Sequence, residues 1–261
     1  MNMNSRQIIK QIEEKWEPRY ACDWDNVGLL VGDANKDIKH ILVALDATDD
    51  VVRQAILMKA DMIVSHHPMI FLASKRVTNE DFIGRRIIKL IKNDISCYAA
   101  HTNFDIKEMV RLNEESIELE GTKVLQVTVE EDEVQGLGRY GKVKKPSTLA
   151  EFAEYVKKQL EIDEVRVYGD PKKAIKTAAI SGGSGNSMVD DAISVGVDVL
   201  VTGDISHMRG LDAISAGMAI IDAGHYGTEK VFVPFVRDTL SEMFPDVKVS
   251  VASESVPFQT V

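Results

Sequence analysis

Only two cysteines occur among 261 residues, Cys22 and Cys97. They are too few for a disulfide framework and too far apart for a CxxC metal or redox motif, so a reduced, cytoplasmic compartment is expected. Long hydrophobic runs are missing as well. Residues Met1 to Lys15 scatter Asn, Arg, Lys and Glu among isolated isoleucines, and no later run reaches the ~20 apolar residues of a membrane span, so neither secretion nor membrane insertion is expected. Positive charge is the third shortage. Lys and Arg total 31 against 41 Asp and Glu, a net charge of −10 that argues against coating nucleic acid. A polyanionic small substrate then needs a local basic pocket or metal ions. What remains, 44% hydrophobic and 28% charged residues, describes a globular protein of one or two domains.

Short β-branched runs alternate with amphipathic stretches from end to end, the pattern of an α/β fold with buried strands. A helix is predicted from Ser5, as N-cap, to about Trp16, with Ile8, Ile9, Ile12 and Trp16 on one face. Strands are predicted at Gly28–Val31, His40–Leu45, Met62–Ser65, Ser96–Ala100, Lys123–Val129, Val165–Tyr168, Ala178–Ile180, Val199–Thr202, Ala219–Asp222 and Lys248–Val251. Thr148 and Glu151 form a capping-box signature. Asp132 to Lys145, with Gly136, Gly138 and Gly141, reads as a hairpin region dividing the chain.

The chain also echoes itself. VRQAILMKADMIV, residues 52–64, aligns without gaps to VDDAISVGVDVLV, residues 189–201, with five of thirteen positions identical. Ala100 to Asp105 answers Gly224 to Glu229, pairing His101 with His225, so each half sets His and a carboxylate four apart after a strand. Short α/β units can also resemble one another by composition alone. Two related halves, residues 1–130 and 131–261, with strand ends facing a shared crevice are the expected architecture.

Ser65-His66-His67-Pro68 closes an apolar strand. Adjacent strand residues point to opposite faces, so both imidazoles reach one site only if the chain turns there, as Pro68 allows; the alternative is an ordinary polar loop. Five of the six histidines, His66, His67, His101, His207 and His225, fall at predicted strand ends or just beyond, with Asp105, Asp204, Asp222 and Glu229 in the same loops. Imidazole and carboxylate together suit Zn, Fe or Mn at a catalytic, partly open centre, while two cysteines exclude a thiolate-type structural zinc site. His225 and Glu229 in a helix sit one turn apart and can share a metal. Pro234 then falls inside that final helix, where a kink is expected.

Six segments taken in order resemble the NIF-three-like dinuclear-metal-centre family, whose members are often named GTP cyclohydrolase I type 2 homologues: Trp24 to Leu29, Ser65 to Pro68, His101 to Asp105, Gly182 to Gly185, Thr202 to Asp204 with His207, and Asp222 to His225 with Glu229. The resemblance implies two similar α/β halves packed around a central dinuclear metal crevice, two divalent ions per chain and a toroidal homohexamer. It makes His66, His67, Asp105, His225 and Glu229 the metal ligands, with Glu229 as the bridge. Some members carry an inserted mid-chain domain, for which this chain has no room.

His101 and His207 match motif positions outside the ligand set and are candidate proton donors or substrate contacts. Asp25 and Asn26 are candidates to orient a water or substrate, or simply turn residues. Trp24 is read as core rather than as a stacking platform. Gly182, Gly183 and Gly185 suggest a tight turn approaching the site and a backbone nest for phosphate. The expected activity is metal-dependent hydrolysis of a nucleotide, GTP ring opening with formate release by resemblance. The alternatives are a phosphoesterase using the same ion pair and a non-catalytic metal-binding or regulatory interaction protein.

Overall fold

Runs with every side chain apolar become central strands, because a strand covered on both faces has no polar side to offer water. In a computed structural model describing residues 3–130, 133–254 and 256–259, such runs build two units, Met1–Phe104 with Val231–Val261, and Asp105–Lys230. The expected boundary at 130/131 falls between the strands Leu119–Glu130 and Val134–Thr148, which pair in one sheet of the second unit. Glu131 and Asp132, the start of the predicted hairpin region, lie outside the described residues.

The first unit holds a five-stranded sheet in the order Lys248–Val251, His40–Ala44, Met62–Ser65, Ser96–Ala99, Gly28–Val31. The first four strands are parallel and the last is an antiparallel edge. Leu42, Ala44, Ile63 and Cys97 pack against Val51, Val52 and Ala55 of the helix Asp49–Met58 and Ile87 and Leu90 of the helix Phe82–Lys92. The opening helix runs Ser5–Lys15, but its N-cap is Asn4, which forms a reciprocal capping box with Gln7. Ser5 is buried and its hydroxyl donates to the Lys36 carbonyl, which removes it from capping.

The second unit holds a six-stranded sheet in the order Leu119–Glu130, Val134–Thr148, Ala174–Ser184, Val199–Gly203, Ala219–Asp222, Arg166–Tyr168. Alternation divides its core into two layers. Ala178, Ile180, Val199, Val201, Ala219 and Ile221 face one side with Phe152 and Val156, while Ala179, Leu200 and Ile220 face the other with Val189 and Ala192. The Thr148/Glu151 capping box starts the helix Leu149–Gln159. The predicted final helix is two helices, His225–Glu229 and Phe232–Met243, so Pro234 sits in a first turn, where its missing N–H costs nothing.

The internal echo is structural. Each copy is a helix, a left-handed closing residue (Lys59, φ 53°; Gly196, φ 74°) and a buried strand. Asp61 accepts the N–H groups of Lys39 and His40 at 2.9 and 3.0 Å; Asp198 accepts those of Lys176 and Thr177 at 2.8 and 2.9 Å. Beyond the echo the next strand begins with Ser96 N–H on the Asp61 carbonyl and Ala219 N–H on that of Asp198, and ends with Ala100 on Ser65 and Ala223 on Thr202. This register matches His101 to Gly224 and His225 to Thr102, so the sequence pairing of His101 with His225 is one residue out of step.

Candidate metal centre

In the first unit, parallel strands deliver polar residues to one sheet edge, where their carboxyl ends lie. His66 and His67 follow Met62–Ser65, His101 follows Ser96–Ala99 and Asp46 follows His40–Ala44. The Ser65 hydroxyl donates to the His67 carbonyl at 2.9 Å, so the chain turns at this point and both rings reach the same side, 4.9 Å apart between centroids. His101 stands 5.2 Å from His66 and 5.5 Å from His67. The three residues offer donor nitrogens within 4.8 Å of one another, a spacing that can hold a metal ion. His66 is fully buried, its ring packed near Phe232 and Phe104 at 4.9 and 6.0 Å.

The tautomers follow from the partners. His66 Nδ1 meets the Ala100 carbonyl at 2.9 Å, His67 Nδ1 the Asp46 carboxylate at 2.9 Å and His101 Nδ1 the Asp25 carboxylate at 2.8 Å. These oxygens only accept, so each Nδ1 carries the proton and Nε2 keeps the lone pair a metal uses. Asp25 has no exposed side-chain surface. Burial pushes its carboxyl up, but hydrogen bonds from His101 and Thr102 outweigh that and bring it down to about 2. Asp25 therefore orients His101, and its oxygens are committed to His101, Thr102 and the Asn26 N–H. Asn26 donates to the Ile70 carbonyl, a loop-to-loop tie. Trp24 is 60% exposed, which corrects its assignment to the core; Trp16, edge-on to Phe104 at 5.0 Å and fully buried, takes that place.

In the second unit, His225 opens a helix directly after the strand Ala219–Asp222. Its Nδ1 donates to Asp204 at 2.8 Å, and its Nε2 lies 3.1 Å from the Glu229 carboxylate one turn on. Two lone pairs at that separation require a proton or a cation to share. Glu229 is 3% exposed. Asp105 presents an oxygen within 4.8 Å of Glu229; it begins the π-helical turn Asp105–Met109, a winding often found at functional sites. Gly183 has φ +65°, and a Cβ there would stand 2.4 Å from Glu229 Oε1 and 3.4 Å from His225 Nε2, so bare backbone makes room for the pair. The expected phosphate nest is corrected: the Gly183 and Gly185 N–H groups are taken by the Thr228 hydroxyl and the Gly203 carbonyl.

Asp222 is buried by a different task, accepting Arg166, the Ile205 N–H and the Gly224 N–H and so shaping the turn ahead of His225. His207 is exposed at the start of the helix His207–Ser215 and joins none of the metal-capable groups among the described residues. Sequence reasoning missed Asp46, although it too follows a buried strand, the criterion that singled out the histidines.

Fold and site together define an α/β protein with anchored imidazoles and carboxylates able to hold a metal ion. The chain belongs to the Duf34/NIF3 (NGG1p interacting factor 3) family, whose model matches residues 3–257. It is 35% identical over 99% of its length, and all of the relative's, to a protein of Clostridium perfringens named GTP cyclohydrolase 1 type 2 homolog. A Bacillus cereus protein related to NIF3 superposes with a TM-score of 0.93 at 27% identity, covering both chains completely. Reduced HcgD of Methanocaldococcus jannaschii superposes at 0.84 with 30% identity, over 97% of this chain and 99% of that one. No helix among the described residues is long and apolar enough to cross a membrane.

Proposed function

We propose that this protein is a divalent-metal-dependent hydrolase of nucleotides, opening the imidazole ring of GTP in the manner its relatives' name suggests. The observation that carries the reading is the fixing of His66, His67, His101 and His225 through Nδ1, which turns Nε2 into the ring nitrogen that a metal or substrate would meet. His66, His67, Asp105, His225 and Glu229 are the proposed ligands of two ions, Zn, Fe or Mn, with Glu229 as the bridge because a carboxylate has two donor oxygens. Ions held there supply Lewis acidity and an acidified water. Two waters are consumed overall: one opens the ring at C8, and the second releases that carbon as formate. His101, steered by Asp25, carries the proton to ring nitrogen. His207 is assigned to substrate contact, and the working form is a cytoplasmic homohexamer.

The test starts from protein purified without added ions. Elemental analysis is expected to give about two divalent ions per chain after loading, and light scattering six times the 28.9 kDa chain mass. A nucleotide panel followed by formate, inorganic phosphate and ultraviolet change is expected to show formate from GTP, lost with chelator and in His66→Ala. Phosphate without formate would make the protein a phosphoesterase. Full metal occupancy without turnover on any nucleotide would make it a metal-holding interaction protein.

A further inference from the structure

Trp24 and Phe71 leave 60% and 52% of their surface open, whereas Trp16, Tyr98, Phe104 and Phe232 are fully buried. The two exposed rings lie 5.9 Å apart with planes tilted by 57°, so they form a V and do not cover each other's faces. Trp24 is also 6.0 Å from His101 at an interplanar angle of 74°, edge to face with the imidazole that Asp25 orients. The backbone that carries the pair is tethered. Asp25, next to Trp24, is locked by His101 and Thr102, the Cys22 N–H donates to the Thr102 hydroxyl at 2.9 Å, and Asn26 ties its loop to the carbonyl of Ile70, the neighbour of Phe71. Two large rings on tethered backbone beside a polar cluster form a partly preorganised seat, since little backbone ordering remains to be met on binding.

We propose that Trp24 and Phe71 are the seat for a planar heteroaromatic ring of the substrate, stacked on Trp24, walled by Phe71 and turned edge-on toward His101. An aromatic face offers a flat ligand offset stacking that an aliphatic chain cannot match. With its Nδ1 proton held by Asp25, His101 offers the ring rim an acceptor at Nε2, which selects rings carrying an N–H or O–H at their edge. The identification of that ring as a purine base rests on the nucleotide reading above; the seat itself does not.

The test uses full-length protein stripped of metal by chelation, so that neither turnover nor metal affinity enters the readout. The probes are guanosine 5′-monophosphate, ribose 5-phosphate and quinazolin-4-one, a flat ring without sugar or phosphate. The expected result is saturable quenching of tryptophan emission by guanosine 5′-monophosphate and quinazolin-4-one but not by ribose 5-phosphate. In Trp24→Leu the affinity of both ring probes, measured by equilibrium dialysis, should fall about 5- to 150-fold, the scale of one lost aromatic stack, while Trp24→Phe keeps most of it. Ring binding that survives Trp24→Leu unchanged overturns the seat while leaving the nucleotide reading intact. Trp24-dependent binding of quinazolin-4-one without nucleotide binding supports the seat and overturns the purine assignment. A lower oligomeric mass of Trp24→Leu in sedimentation, with ring binding absent from the parent, overturns the seat in favour of contact with a second copy.

Discussion

At Asp25, burial and hydrogen bonding pull in opposite directions, and the bonds from His101 and Thr102 win, leaving the carboxyl at about 2. Asp25 is therefore anionic wherever an imidazole titrates, and the proton on His101 Nδ1 always has its acceptor. Replacing His101 with Asn should leave metal content unchanged and lower kcat about 10²- to 10⁴-fold. Its closeness to His66 and His67 carries the opposing possibility: metal loss from the variant, with rate restored by excess metal, would make His101 a third imidazole ligand. At this scale the sequence was readable where a polar residue followed an apolar run, as at His66, His67 and His225. It was unreadable where a partnership joins remote positions, as in the pairing of His67 with Asp46, 21 positions away.

Asp61 and Asp198 show how one junction is built twice: a carboxylate at the end of a turn gathers two successive N–H groups of the chain beside it. Burial raises the Asp198 carboxyl, but the N–H groups of Lys176 and Thr177 and the Thr177 hydroxyl bring it below the ordinary Asp value. A lowered folded-state value means stability present above the ordinary carboxylate range and lost as pH falls through the folded pKa. Asp198→Ala should cost ~1–3 kcal/mol at neutral pH, read as a lower Tm, with the gap to the parent narrowing below the usual Asp value of about 3.9. A gap of constant size down to about pH 3 would show that the charge plays no part. Most strands buried on both faces were read to within a residue or so, since their apolar runs have sharp ends. Ala174–Ser184 was read only at its centre, Ala178–Ile180, because polar and small residues such as Lys176, Thr177 and Ser181 to Ser184 extend it past the apolar run. The hairpin Leu119–Glu130 and Val134–Thr148 was read short because its side chains are mostly exposed or half-buried and its register shifts twice, which breaks the period-two pattern.

Across the molecule, the two thiols differ by placement alone. Cys97 lies fully buried on the strand Ser96–Ala99, and burial pushes its thiol up to about 12, a hydrogen bond with Ser65 offsetting only part of the effect. Cys22 is half-buried. A thiol reagent should therefore take up one equivalent per native chain and two in denaturant; two fast native equivalents would show that the sheet opens readily. The units also differ in how the chain threads them. Residues 105–230 are contiguous, whereas residues 1–104 share their unit with 231–261. Synthesis from the ribosome thus finishes the later unit first. Until Lys248–Val251 emerges, one flank of His40–Ala44 has no neighbour, and until Phe232 emerges His66 lacks one of its aromatic walls. A chain truncated before residue 231 holds every residue of the second unit but leaves the first with an open strand edge, the form most in need of a chaperone.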